Sequence, residues 1–131
     1  MSYSSDHVLF TGYQIDKDAD IIEALDSFIR KNPAPFIADY PEYFDENGQP
    51  KEDAALEIEG ELIGKGFLIQ SDFLLYQYIG VCQIIFREDE DDKAVRLDLN
   101  SLAKIPRLLT EFVNEYFPDA VEDLFMISYS F

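Results

Sequence analysis

The segment "GFLIQSDFLLYQYIGVCQIIFRE", residues 66–88, is the most apolar part of this 131-residue chain and constrains its fold more than any other feature. Its aromatic and β-branched residues favour strands over a buried helix. The pair Ser71-Asp72 predicts a turn between strands, and Gly80 predicts a β-bulge. A protein that contains this segment is therefore expected to contain a sheet.

Three other segments are predicted strands. Residues 7–15 are rich in β-branched and aromatic side chains, and residues 94–99 alternate apolar and charged side chains. Residues 94–99 are expected to form a hairpin with the apolar segment, connected by the acidic residues 88–92. In residues 123–131, every second side chain from 125 to the last residue is aromatic or isoleucine, which is typical of a half-buried strand. This pattern predicts that this end of the chain lies in the sheet.

Apolar residues at helical spacing predict two amphipathic helices. The first has acids in its first turn and basic residues in its last turn, which suits the helix dipole, and Pro33 limits it. The second can be capped by Asn100 or Ser101, while Pro106 shifts its start or kinks it. The apolar stripes are Ile21, Ile22, Leu25, Phe28 and Ile29 in the first helix, and Leu102, Ile105, Leu109, Phe112 and Tyr116 in the second.

The region between the first helix and the apolar segment gives mixed indications. Residues 33–50 contain four prolines and the turn signal Asn47-Gly48, and are predicted to form an ordered surface loop with a short helical turn. In the following stretch, Pro50 suits the start of a helix and Gly64 its end. Residues 56–59 alternate apolar and acidic side chains as a strand would, but a helix is favoured for the stretch as a whole.

This order of elements predicts one α+β domain spanning residues 1–131. We expect a mostly antiparallel sheet with two or three helices packed against it.

The charge of the chain limits its partners. It has 27 acidic and 10 basic residues, a formal net charge of −17. Nucleic acids and anionic membranes need basic patches, so direct binding to either is not expected. A basic protein is a suitable partner because opposite fields speed encounter.

The N-terminus lacks the pattern of a signal peptide, and no apolar stretch approaches the ~20 residues of a membrane-spanning helix. The sequence therefore predicts a cytoplasmic protein.

No complete catalytic motif is present, so the chain is not expected to be an enzyme, nor to need a cofactor or a metal. His7, the only histidine, has no nucleophile motif around it and is interpreted as a surface residue. Cys82, the only cysteine, lies in an apolar run and is interpreted as a buried structural thiol. The acids Asp16, Asp18 and Asp20 resemble the start of a calcium loop, but the glycine and the final glutamate of that loop are missing, which favours helix-capping acids.

Two acidic segments are candidate partner-binding sites. In the first, aromatic rings that act as interface anchors would be surrounded by acids that pair with Arg or Lys; alternatively, the rings fold back onto the core. The second is the acidic run, which either contacts a partner or is a solvated hairpin tip. The candidate residues are Asp39, Tyr40, Glu42, Tyr43, Phe44, Asp45 and Glu46 in the first segment, and Glu88, Asp89, Glu90, Asp91 and Asp92 in the second.

In its size, its charge and the acid-rich stretches "DYPEYFDE" and "REDEDD", the chain resembles the small acidic immunity proteins that bacteria make against their own nuclease toxins, including those of contact-dependent inhibition systems. Such proteins bind a basic toxin domain and block its active site or an exosite. The resemblance implies that carboxylates near Tyr40 and Tyr43 take phosphate-like positions against Lys and Arg of a toxin. Exclusion of substrate, without turnover, would then be the mechanism.

Two alternatives stay open. The chain can be a DNA mimic that sequesters a DNA-binding protein, although Arg96, Lys104 and Arg107 interrupt a continuous negative surface. It can also be an enzyme or a small-molecule-binding domain, including a homodimer, with a pocket near the apolar strands.

Overall fold

The computed structural model describes residues 5–71, 74–87 and 99–130. The strands are β1 (Ser5–Asp16), β2 (Leu68–Ile69), β3 (Tyr76–Arg87) and β4 (Val121–Ser130). The helices are α1 (Ile21–Lys31), α2 (Pro33–Asp39), α3 (Ala54–Gly64) and α4 (Arg107–Tyr116), with 3-10 turns at Pro41–Tyr43 and Leu99–Ser101. The acidic run 88–92 and residues 94–98 of the predicted hairpin lie outside the described residues.

The predicted α+β class with an antiparallel sheet is confirmed. Within the described residues there are four α-helices rather than two or three, because the proline-rich segment contributes α2. The chain divides into two compact units, one formed by Asp18–Lys65 and the other containing the sheet and α4. The expectation of a single domain stays a prediction. None of the helices in the described ranges combines the length and the apolar content that crossing a bilayer requires.

The sheet has the strand order β2-β3-β1-β4, and all of its pairs are antiparallel. The Leu74 N–H donates a hydrogen bond of 3.1 Å to the Ser71 carbonyl, and Asp72 of the predicted Ser71-Asp72 turn lies outside the described residues. The pairing of β1 with β4 runs without a register shift from Ser5 opposite Ser130 to Gln14 opposite Val121. β1, the first strand in the chain, is therefore an inner strand of the sheet.

The bulge predicted at Gly80 is wrong, because Gly80 lies directly opposite Gly12 in a regular pair. The register shifts elsewhere: Leu9 pairs with Ile84 and Phe10 with Cys82, which leaves Gln83 as the extra residue. Glycine is needed at positions 12 and 80 for a different reason. A Cβ on Gly12 would collide with the carbonyl oxygen of Ile79, and a Cβ on Gly80 would collide with that of Thr11.

The two faces of the sheet follow from this register. One face, the Phe10 face, carries a buried cluster in which the ring of Tyr78 meets those of Phe10 and Phe125 edge-on, with ring centroids 6.3 Å and 5.2 Å apart. The other, the Thr11 face, packs against α4. The Phe10 cluster consists of Val8, Phe10, Leu74 and Ile127, with Ile69, Tyr78, Cys82 and Phe125 at its margin.

Helix α4 begins later than the apolar stripe predicted. Its first residue is Arg107 and Pro106 occupies the capping position, so Asn100 and Ser101 do not cap it. Proline lacks an N–H and fixes its own φ, which suits the boundary of a helix rather than its interior. Leu102 and Ile105 therefore lie in a non-helical segment before α4.

The unit Asp18–Lys65 is helical. At the start of α1, the Asp20 carboxylate accepts a hydrogen bond of 3.0 Å from the Glu23 N–H, so Asp20 is the capping acid predicted above. α1 contacts α2 and α3, and the rings of Phe28 and Phe36 meet edge-on with centroids 5.8 Å apart. The helix predicted after Pro50 is confirmed as α3, but it begins at Ala54.

Candidate functional site: acids around Tyr43

The turn between α2 and α3 holds the first acidic segment in a fixed shape. The Lys51 N–H donates to the Tyr43 carbonyl at 2.9 Å, which ties the two ends of the turn together. Inside the turn, the Asp45 carboxylate accepts from the backbone N–H groups of Asn47 and Gln49, each at 2.9 Å. Gly48 has φ 76°, which glycine adopts without strain. Asp45 thus has a structural role in this turn.

Two of the three candidate rings in this segment are buried. Tyr40 and Phe44 are each 7% exposed, so the alternative that the rings fold onto the chain's own core describes these two residues. Tyr43 is only half-buried, and its hydroxyl donates a hydrogen bond of 3.1 Å to Oε1 of Glu61 on α3. Among the three rings, Tyr43 is therefore the one with surface left for a partner.

Three carboxylates act on the Tyr43 hydroxyl. Its pKa is raised by removal of water, then by the hydrogen bond to Glu61, and then by the negative charges of Glu61, Glu42 and Glu57. Glu42 comes from the 3-10 turn and the other two acids from α3, so two elements bring the acids together. We call Glu42, Tyr43, Glu57 and Glu61 the Tyr43 patch.

Lys65 borders this patch and supports it. Its Nζ donates to the Tyr40 hydroxyl at 3.2 Å and lies 4.6 Å from the centroid of the Tyr40 ring. The pKa of Lys65 is raised, first by this hydrogen bond and also by the negative charges of Glu61 and Asp39. Lys65 therefore fixes Tyr40 beside Tyr43 and offsets part of the local negative charge.

Sequence reasoning found half of the Tyr43 patch. Glu42 and Tyr43 were predicted partner residues, whereas Glu57 and Glu61 were missed. Their spacing of four residues on a predicted helix places them on one face, which was the available indication. Asp39 and Glu46 are exposed outside the patch, and the predicted contacts of residues 88–92 stay predictions.

The residues considered for chemistry have ordinary structural surroundings. Nδ1 of His7 lies 2.6 Å from Oγ of Ser128, across the β1–β4 pair. Cys82 is half-buried, and burial raises the pKa of its thiol. In the ranges that the structure describes, no group of three or more His, Cys, Asp or Glu side chains is placed to hold a metal ion.

A cleft of about 740 Å³ lies on the Thr11 face, between α4 and the segment that precedes it. The Gln83 carboxamide holds that segment: it donates to the Ala103 carbonyl at 2.7 Å, accepts from the Ala103 N–H at 2.8 Å, and donates to Oγ1 of Thr11 at 3.0 Å. The lining includes Thr11, Tyr13, Lys104, Thr110, Asn114 and Glu122.

Comparisons with protein-family models, curated protein sequences and solved structures find no match to this chain.

Proposed function

We propose that this chain is an immunity-type protein of the cytoplasm that binds a basic protein domain, such as a nuclease toxin, through the Tyr43 patch and excludes its substrate. The observation that carries the proposal is the convergence of Glu42, Glu57 and Glu61 on a half-buried tyrosine. The chemistry of such a patch suits Lys and Arg side chains, which donate charge-assisted hydrogen bonds to carboxylates.

The charge of the surrounding unit supports this proposal. Residues 18–65 contain thirteen acidic and four basic residues, so the patch lies in a strongly negative part of the chain. A negative field of this kind attracts a basic domain before contact and orients it. The patch itself then provides the short-range contacts that determine how long the complex lasts.

Tyr43 would be the anchor of the contact. A tyrosine gives a large apolar surface with few rotatable bonds, and its hydroxyl already has a partner in Glu61. Little side-chain freedom would therefore be lost on binding. The exposed carboxylates of Glu42 and Glu57 flank the ring and would pair with the partner's cations.

The proposal is tested with the double variant Glu42→Gln/Glu57→Gln. The partner to test is a basic domain encoded by the gene directly upstream of the gene for this chain. We expect the variant to bind it about tenfold or more weakly, a loss of roughly 1.4 kcal/mol in binding free energy, measured by calorimetry. Wild-type binding should also weaken as salt is added. Both glutamates are exposed, so the melting temperature should change little.

The matched control is Glu111→Gln/Asp119→Asn, which removes the same charge from exposed positions on or near α4. The ion pair of Glu111 with Arg107 is exposed and contributes little stability. If both double variants lose affinity equally, net charge rather than the patch determines binding. Retention of affinity by Glu42→Gln/Glu57→Gln contradicts the proposed site. Capture of a DNA-binding regulator instead would favour DNA mimicry.

A second candidate function is small-molecule binding in the cleft on the Thr11 face. The observation in its favour is that hydroxyl, amide and oppositely charged groups line one concave site. A ligand that raises the melting temperature of the wild type, but not of Lys104→Met, would support it.

A further inference from the structure

β4 lies at the edge of the sheet. It pairs with β1 along all ten of its residues, and no other strand of the described chain pairs with its outer side. An edge strand offers a row of backbone donors and acceptors to any strand that can align with it. This surface belongs to the unit that contains the sheet, whereas the Tyr43 patch belongs to the unit Asp18–Lys65.

One side-chain hydrogen bond shows which backbone groups point outward. The Leu124 N–H donates to the carboxylate of Asp123 at 2.8 Å. In an antiparallel ladder the N–H and C=O groups of alternate residues point to the same side. Glu122, Leu124, Met126 and Ser128 therefore present their backbone groups away from β1. Asp123 occupies the N–H of Leu124, whereas no other strand of the described chain pairs with those of Met126 and Ser128.

The second half of this edge lacks the usual protection against pairing. β4 contains no proline, lysine or arginine, and its pairing with β1 has no bulge. Its exposed side chains include Leu124 and Met126, with 40% and 59% of their surface accessible, and both lie on the Thr11 face. Within the part of the chain that the structure describes, the edge therefore combines unpaired backbone groups with exposed apolar side chains.

We propose that two copies of this chain associate through antiparallel pairing of their β4 strands about a two-fold axis near Met126. The charge distribution along β4 favours this occupant. Both acids, Glu122 and Asp123, lie at one end, so antiparallel pairing places the two acidic ends at opposite ends of the seam. At about 3.3 Å per residue they would be roughly 20 Å apart, well beyond the screening length of ~8 Å in physiological salt.

The net charge of −17 on each copy opposes this association at long range. Added salt screens that repulsion and should strengthen the dimer, since backbone pairing and apolar contact are little affected. Binding of a basic partner at the Tyr43 patch has the opposite salt dependence. The two associations can therefore be distinguished in one titration.

The test is sedimentation of the full chain over a range of concentrations at about 0.05 M and about 0.5 M NaCl. We expect a reversible monomer–dimer equilibrium with a tighter dimer at high salt. Met126→Lys should raise the dissociation constant about tenfold or more, because two lysines would face each other across the axis. The control Leu75→Lys makes the same charge change at an 80% exposed position outside β4 and should leave the dimer intact.

A charge-swap experiment tests whether the two copies meet at Met126. Met126→Lys and Met126→Glu should each be monomeric, whereas an equimolar mixture should form a heterodimer. A monomer under all conditions overturns the proposal, as does a dimer that Met126→Lys leaves unchanged. If Met126→Lys instead weakens capture of the basic partner and the wild type stays monomeric, β4 pairs with that partner and not with itself.

Discussion

At the scale of single residues, the backbones of β1 and β3 approach each other closely at Gly12 and Gly80. The two glycines face each other across β1 and β3, and the ring of Phe10 covers Gly12. Sequence reasoning recognised Gly80 as unusual within an apolar strand, but a bulge and a close approach both favour glycine. Only the residue on the opposite strand distinguishes a bulge from a close approach, and that residue is 68 positions away in the sequence.

Alanine at either glycine should destabilise the protein by more than about 2 kcal/mol, because the added methyl group meets a carbonyl oxygen of the neighbouring strand. The measurement is urea denaturation of Gly12→Ala and Gly80→Ala. Gly60→Ala is the matched control: it lies within α3 with open space around its Cβ, and should stabilise by roughly 0.5–1 kcal/mol. Equal stabilities for all three variants would contradict this account.

At the scale of elements, the strands and amphipathic helices followed from periodicity. The firmest examples are β1, α1 and β4, in which the apolar spacing matches the observed element. The proline-rich segment was predicted wrongly as mostly loop. Pro33 and Pro35 lie in the first turn of α2, where the missing N–H groups have no helical partner to lose. Composition could not show that these prolines begin a helix, because the same residues also end one.

The segment before α4 forms two hydrogen bonds with one side chain, that of Gln83. The bulge at Gln83 turns its carboxamide toward residue 103, where it bonds both backbone groups as a neighbouring strand would. No pattern in the sequence indicated this contact, since glutamine in a strand is usually a solvated residue.

We expect Gln83→Ala to lower the free energy of unfolding by about 1–2 kcal/mol, because three hydrogen bonds at a partly exposed site are lost. Gln83→Glu should be worse at neutral pH, since a carboxylate cannot donate to the Ala103 carbonyl. Denaturant titration measures both, and hydrogen exchange at Ala103 reports on the segment itself. Faster exchange there without a change elsewhere would support the local role, and unchanged exchange would contradict it.

At the scale of the whole molecule, the sequence established the charge, the α+β class and the absence of a recognisable catalytic motif. It could not place the patch, because Glu57 and Glu61 approach Tyr43 only after the turn and α3 have folded. Composition predicts a basic partner, whereas the fold of the turn and α3 determines which acids lie near Tyr43.

The groups whose pKa values are clearly shifted all predict that the stability of the fold decreases as the pH rises. The pKa values of Tyr43, Tyr78 and Cys82 are raised mainly by burial, and that of Lys65 mainly by its hydrogen bond to Tyr40. Each group holds its proton more tightly when the chain is folded. The resulting stability is fully present below the unfolded pKa values, about 8.5 for Cys and about 10 for Tyr and Lys, and is lost as the pH rises through the folded values.

We therefore expect the midpoint of chemical denaturation to fall as the pH is raised from about 8 to about 11. Tyr43→Phe should flatten part of this fall, because it removes one of the titrating groups and keeps the ring. A midpoint that rises over this range, or a Tyr43→Phe profile parallel to the wild type, would contradict the assignment.

The position of β1 inside the sheet also determines when the sheet can form during synthesis. Of the described strands β1 is translated first, yet its neighbours are β3, which begins at Tyr76, and β4, which ends at Ser130. One side of β1 must wait for almost the whole chain to be translated, whereas α1, α2 and α3 find their contacts within 48 consecutive residues. Such late, long-range pairing is slow. β1 therefore stays unpaired in the nascent chain until β3 has been translated, and its other side stays unpaired until β4 follows. The negative charge of the chain repels neighbouring nascent chains during that interval.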